Sequence, residues 1–132
     1  MGGIGEQYEA AKAYEDEHVR ILGWINEGVL ADYLKSSDLY VLPSLDLEGF
    51  GYVVLEALAS GIPVIASETA GGGTEFLKKI DDNLIFKFNE QDILKALNYA
   101  LIQTEAINYR EKFYNFTTRY SLINLCKEYF KV

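Results

Sequence analysis

Cysteine is nearly absent: Cys126 is the only one in 132 residues, so no disulfide can form within the chain. The single histidine, His18, has no second His or Cys nearby, and no metal site is expected. Basic residues are scarce beside acidic ones, 12 against 20 for a net charge of −8, which argues against a nucleic-acid partner bound through its phosphates. Nothing near the N-terminus combines a basic region with a continuous apolar core, so no signal peptide is read. The longest nearly apolar stretch, Gly49 to Ser67, is interrupted by Glu56, Pro63 and two further glycines inside it. It makes a poor membrane span. These absences point to a cytoplasmic, reducing setting.

What is present is an ordinary globular composition, 49% hydrophobic and 24% charged, expected to fold as a single domain over residues 1–132. No internal repeat, low-complexity block or Gly/Ser linker divides it. Glu6 to Asp16 suits a surface helix, and His18 to Leu22 alternates toward a strand ending at Gly23. Gly28 to Ser36 has helical apolar spacing and gives way to the short run Leu39 to Leu42, closed by Pro43. Tyr52 to Ser60 reads as a helix stopped by Gly61. Pro63 then opens the strand Val64 to Ala66, and Leu84 to Phe88 is a further candidate strand.

Asn89, with Asp92 three residues on, resembles a helix cap, and Ile93, Leu94, Leu97, Ala100 and Leu101 form one apolar face. From Ser121 the tail carries Leu122, Ile123, Leu125, Cys126, Tyr129 and Phe130 at helical spacing, which predicts a docked helix with Cys126 toward a core. Short apolar strands alternating with helices imply an α/β fold, a Rossmann-like parallel sheet with flanking helices. Ligands of such sheets bind beyond the carboxyl ends of the strands, after Gly23, Pro43 and Ser67 here.

One of those positions carries a constellation. Glu48-Gly49-Phe50-Gly51 lies between a strand and a helix, where glycines let a ligand approach the backbone and the helix N-terminus favours an anion such as a diphosphate. Glu56 is the one charged residue between Glu48 and Glu68, and a buried carboxylate needs donors such as a sugar diol. The bland alternative places Glu56 in solvent and makes Glu48 a loop or first-turn carboxylate favoured by the dipole. The residues by themselves leave both readings open.

The strings Pro43-Ser44, Glu48-Gly49-Phe50-Gly51, Leu55-Glu56-Ala57 and Ser60-Gly61-Ile62-Pro63-Val64-Ile65-Ala66-Ser67 resemble the E-x7-E region of glycosyltransferase family 4, also called glycosyl transferases group 1. The likeness extends from Val19-Arg20-Ile21-Leu22-Gly23 through Gly71-Gly72 and Glu75 to Leu84. It implies a retaining enzyme that moves a hexose from a nucleotide diphosphate sugar to a glycan, lipid or polysaccharide acceptor, with no cofactor and no metal. Glu48 would sit beside the transferred sugar, and the amides of Gly49, Phe50 and Gly51 would hold its hydroxyls. Glu56 would bind the ribose diol. The amides of Tyr52 and Val53 would approach the distal phosphate, where preorganised dipoles stabilise the leaving group. Trp24 and Ile25 would lie near the nucleobase, with plain packing the competing role for Trp24.

The resemblance also implies departures. Family members of the GT-B type join two Rossmann-like domains, acceptor-binding then donor-binding, and this chain matches an incomplete C-terminal donor domain lacking its first two strands. The early Arg and Lys pair that neutralises the donor diphosphate has no counterpart. Either a partner polypeptide carrying the acceptor domain or self-association is therefore expected, with membrane-peripheral placement through a missing domain as a variant of the cytoplasmic reading. A second hypothesis is a non-catalytic or split subunit that binds nucleotide sugar or an acceptor domain. A third makes Glu48 and Glu56 an acid and base pair for glycoside hydrolysis, which needs both carboxyls in one cleft and is opposed by the apolar helix context.

Other signals read as structural. Gly71-Gly72-Gly73 is expected to be a flexible turn that could close over the donor sugar. Ser60, Ser67 and Thr74 lack a G-x-S-x-G elbow and a His partner, so no hydrolase triad is assigned. The early cluster Gly2-Gly3-Ile4-Gly5-Glu6 does not match G-x-G-x-x-G. Tyr109, Phe113, Tyr114, Phe116 and Tyr120 suggest an apolar surface for core or interface packing.

Overall fold

Residues 6–45 and 52–106, with residues 111 and 115, are described in a computed structural model of the chain. Two compact units divide it, residues 1–33 and 34–132. In the first, α1 (Tyr8–Lys12) is only five residues long, with the Lys12 ammonium 5.2 Å from the Tyr8 ring centroid. The helix expected from Glu6 to Asp16 is thus shorter. Its end tightens into three-residue bonds, Ala13, Tyr14 and Glu15 N–H donating to the carbonyls of Ala10, Ala11 and Lys12.

The strand expected over His18 to Leu22 is not formed as a ladder among the described residues, and only Gly23 makes an isolated bridge. Neighbouring carboxylates take its amides instead. Asp16 Oδ1 accepts from His18 and Val19 N–H, both at 2.7 Å, and Glu15 Oε1 accepts from Ile21 N–H at 2.8 Å. Gly23 has φ of +66°, and a Cβ there would lie 3.2 Å from the Tyr8 hydroxyl. His18 is exposed beside Glu17 at 3.4 Å, a surface pair of little energetic weight. Asn26 caps the next helix, α2 (Glu27–Ser36): Val29 N–H donates to Asn26 Oδ1 at 3.0 Å.

The second unit is an α/β arrangement around a parallel three-stranded sheet. Strands β1 (Tyr40–Leu42), β2 (Val64–Ser67) and β3 (Ile85–Phe86) lie in that order. Tyr40 pairs with Val64 and Leu42 with Ala66, while Ala66 pairs with Ile85 and Ser67 with Phe86. Every residue of β2 is fully buried, as expected for a strand covered on both faces. Helix α3 (Tyr52–Ala59) connects β1 to β2. Helix α4 (Gly72–Ile80) and a 3-10 turn (Asp82–Leu84) connect β2 to β3, and α5 (Glu90–Ala106) follows. This is the Rossmann-like alternation expected of the sequence.

Helix α3 buries Val54, Ala57 and Leu58, one side of the helix, toward β1, β2 and α4. It stops in a Schellman turn: Ile62 N–H donates to Ala57 O, Gly61 N–H donates to Leu58 O, and Gly61 supplies the positive φ of 76°. Where a flexible glycine turn was expected, α4 begins directly at Gly72. Gly71 adopts φ of +57° before it, and a Cβ on Gly73 would stand 2.8 Å from Val54 Cγ2. The glycines permit a turn and a close helix contact rather than a loop.

Strand β3 is shorter than the expected Leu84 to Phe88, because Leu84 closes the 3-10 turn. Asp81 anchors that turn, accepting from Asn83 N–H at 2.9 Å and from the Tyr99 hydroxyl of α5. Asn89 caps α5 as expected, its Oδ1 accepting from Asp92 N–H at 2.9 Å. The buried side of α5 matches the expected one in part: Ala100 is buried and Ile93 and Leu97 are half-buried, whereas Leu94 and Leu101 are 50% and 44% exposed and Ala96, outside the expected face, is buried. Small side chains let the helix approach the sheet closely. The tail from Ser121 and the aromatic group at 109–120 lie outside the described residues.

Candidate functional site

The carboxyl ends of β1 and β2 open side by side, and the loops leaving them are tied together. Two residues beyond β1, the Ser44 carbonyl accepts hydrogen bonds from Ser67 Oγ at 2.6 Å and from Thr69 Oγ1. Thr74, in the first turn of α4, donates its hydroxyl to the Ser67 carbonyl at 2.8 Å, and Ala70 N–H donates to the same oxygen at 3.1 Å. Ser67 and Thr74 therefore hold loops in place, as read from the sequence, whereas Thr69 went unnoticed there. The signal available for it was the density of hydroxyl residues just past a buried strand.

Helix α3 starts in this region. Tyr52 is 69% exposed at its first position and Val53 is half-buried. Glu56 is exposed, one turn on from Tyr52 and on the same side by the helical repeat. Of the two readings that the residues left open for Glu56, the solvent-facing one holds, because Val54, Ala57 and Leu58 occupy the side turned to the sheet. Water satisfies such a group, so its presence requires no protein partner. A helix N-terminus with polar side chains one turn in is suited to an anion carrying hydroxyl groups.

Of the other residues singled out, Glu48, Gly49, Phe50 and Gly51 lie outside the described residues. Trp24, 76% exposed, and half-buried Ile25 belong to the first unit. A cavity of about 300 Å³ opens beside β3, lined by Glu68, Lys78, Phe86, Lys87, Asp92 and Lys95 among others. Neither Tyr52 nor Glu56 lines it. Its lysines are matched by as many carboxylates once Asp82 is included, which gives it no net preference for an anion.

Tyr99 has a shifted acidity. Its hydroxyl is held above the usual tyrosine range by the hydrogen bond to Asp81, then by desolvation and by the Asp81 charge, with Asn83 opposing. This pair ties the end of α4 to α5 and lies away from α3. Among the described residues no group of three or more His, Cys, Asp or Glu side chains is placed to hold a metal ion, and no helix is long and apolar enough to cross a membrane.

Comparison with known proteins adds to this geometry. The chain is 42% identical over 66 residues to a phosphatidyl-myo-inositol mannosyltransferase of Mycobacterium leprae, covering 50% of this chain and 18% of that protein. It is 31% identical over 100 residues to a UDP-Gal:alpha-D-GlcNAc-diphosphoundecaprenol alpha-1,3-galactosyltransferase of Escherichia coli, covering 72% of this chain and 25% of that one. An exopolysaccharide phosphotransferase of Streptomyces coelicolor is 32% identical over 115 residues, 86% of this chain and 12% of that one. The chain thus spans a quarter or less of the length of these relatives. The family model described as glycosyl transferases group 1 matches residues 5–119, nearly the whole of the α/β arrangement, and the chain belongs to that glycosyltransferase family.

Proposed function

We propose that this chain supplies the donor-binding part of a retaining glycosyltransferase that takes a hexose from a nucleotide diphosphate sugar. The observation that carries the reading is the placement of Glu56. It is exposed on α3 one turn beyond the helix start, and α3 follows the carboxyl end of β1. That is where a parallel α/β sheet receives its ligand. The printed names of two relatives, a mannosyltransferase and a galactosyltransferase with a UDP-linked donor, support the substrate class.

In this reading Glu56 accepts both hydroxyls of the ribose, since a carboxylate offers two acceptor oxygens to adjacent O–H donors. The amides of Tyr52 and Val53, at the positive end of α3, face the distal phosphate. Glu48 orients the transferred sugar, with the amides of Gly49, Phe50 and Gly51 on its hydroxyls. Trp24 and Ile25 meet the nucleobase. When the anomeric C–O bond breaks, its electron pair passes to the diphosphate, and the helix dipole stabilises that charge. No metal or other cofactor is assigned, and the acceptor is bound by a separate domain or polypeptide, or by a second copy. A cytoplasmic location completes the proposal.

A second reading makes the chain a non-catalytic or split subunit that binds nucleotide sugar or a partner acceptor domain. Calorimetric titration of the chain with UDP-, GDP- and ADP-sugars, beside Glu56→Ala, tests the donor site common to both readings. The natural chain should bind one nucleotide class, and Glu56→Ala should weaken it by about tenfold or more, the scale of hydrogen bonds to a charged group. No binding by the natural chain, or equal binding by the variant, overturns the assignment.

A further inference from the structure

Strand β3 forms one edge of the three-stranded sheet, and its outer side carries an unused pair of backbone groups. In a parallel ladder alternate residues turn both backbone groups toward the same neighbour. Phe86 turns toward β2, its carbonyl accepting Glu68 N–H at 2.9 Å, so Ile85 and Lys87 turn outward. Ile85 N–H is taken by the Asp82 carbonyl at the end of the 3-10 turn, and the Lys87 carbonyl accepts Asn89 N–H at 2.7 Å. That leaves the Ile85 carbonyl and Lys87 N–H, which bond to no group among the described residues.

The cavity of about 300 Å³ beside β3 is lined from both α4 and α5, and its charges come in balanced sets. Helix α4 and the turn after it bring Lys78 and Asp82, α5 brings Asp92 and Lys95, and the residues just past β2 and β3 are Glu68 and Lys87. No ion pair joins these six to one another among the described residues. A sheet edge is commonly guarded by lysines, which repel a second copy of the same edge. Matched carboxylates cancel that repulsion here, in a chain whose net charge of −8 otherwise drives copies apart.

We infer that this edge pairs with the same edge of a second copy, β3 antiparallel to β3, about a two-fold axis that sets Phe86 opposite the partner's Phe86. Each unused pair is then the complement of the other: the Ile85 carbonyl accepts from the partner's Lys87 N–H, and Lys87 N–H donates to the partner's Ile85 carbonyl. Such bonds flank the directly opposed residues of an antiparallel pair. An isologous interface requires one surface to complement itself, and an edge with as many lysines as carboxylates meets that requirement where a one-signed edge does not. Phe88, 44% exposed with its ring 5.8 Å from that of Phe86, adds apolar surface at the same edge. The two sheets run on as one, and the inference stands apart from the donor site at α3.

Sedimentation equilibrium of the full chain, joined to hydrogen exchange of the Lys87 amide, tests the pairing. The natural chain should form dimers whose fraction rises with concentration, and Lys87 N–H should exchange more slowly as that fraction grows. Lys87→Pro removes the donor from both copies, and the strand residue before it already has the extended backbone that proline requires of its neighbour. It should raise the Kd of the dimer by about tenfold or more, the effect of two lost hydrogen bonds. Lys78→Glu with Lys95→Glu, both at exposed positions, leaves the backbone untouched and turns each edge acidic. That variant should also weaken the dimer, and more so at low salt, where like charges are less screened. A chain that stays monomeric at every concentration, or a dimer unchanged in either variant, overturns the inference. A Lys87 amide that exchanges slowly in the monomer means that a segment of the same chain already covers the edge, and overturns it as well.

Discussion

Gly73→Ala should destabilise the protein even though alanine is the better helix former. A Cβ at this position would stand 2.8 Å from Val54 Cγ2 and 3.4 Å from Val54 Cβ, with Leu42 Cδ2 at 3.9 Å. Carbon atoms prefer about 3.5–4.0 Å, so the first contact overlaps severely. Val54 has no exposed surface, and a β-branched side chain in a helix keeps essentially one rotamer, so it cannot swing away. Overpacking of this kind costs about 1–3 kcal/mol. The helix-propensity gain of alanine over glycine returns at most about 1 kcal/mol. A net loss of about 1–2 kcal/mol is expected, measured by urea unfolding at 25 °C. The cause is isolated by repeating the substitution in a Val54→Ala background, where the obstructing methyl is gone. There Gly73→Ala should become neutral or stabilising, with a coupling of about 1 kcal/mol or more between the two sites. A Gly73→Ala chain as stable as the natural one, or an equal cost in both backgrounds, would refute the close helix contact.

Tyr99→Phe removes the bond to Asp81 and should cost about 0.5–1.5 kcal/mol at neutral pH. Because the folded state raises the pKa of Tyr99 above its ordinary value of 10.0, its contribution is complete below about pH 10 and lost as pH rises through the folded value. Denaturant titrations between pH 8 and 11 should therefore show the natural chain and the variant converging at the alkaline end, and parallel curves would count against the bond. Asn89→Ala deletes the acceptor for Asp92 N–H and should cost about 1 kcal/mol, read from the same unfolding curves; no change would mean that α5 is capped otherwise. Glu56→Ala, at an exposed position, should leave stability within about 0.5 kcal/mol, so any loss of donor binding cannot be ascribed to unfolding.

The middle of the sheet was legible in the sequence because a strand buried on both faces must be apolar throughout, and Pro63 to Ala66 is. The end of α3 was legible for a similar reason, since Gly61 supplies a backbone conformation that few other residues adopt. At His18 to Leu22 the alternation misled, because Glu15 and Asp16 carboxylates bind the amides a ladder would have used. Three consecutive glycines hid α4. The apolar positions Phe76, Leu77 and Ile80 carried its periodicity, but glycine propensity argued the other way until Val54 showed why no side chain fits at Gly73.

On α5 Ala100 was read as part of the apolar face and is buried, while Leu94 and Leu101 of that face are exposed and Ala96 is buried in their place. The likeness to the family was readable around Glu56, while the residues left open whether Glu56 is buried or exposed. Flanked by Leu55 and Ala57 it looks interior, but each helical residue turns about 100° from the last. That rotation carries Glu56 to the side of Tyr52 and away from Val54, Ala57 and Leu58.

The most direct measurement of the central claim is to follow backbone amide resonances of the full chain while a nucleotide diphosphate sugar is added. The donor-site account expects the largest changes at Tyr52, Val53 and Glu56 and across residues 48–51, with the cavity beside β3 unmoved. Changes centred on Lys78, Phe86, Lys87 and Lys95, or none anywhere with any of the UDP-, GDP- and ADP-sugars, would contradict it.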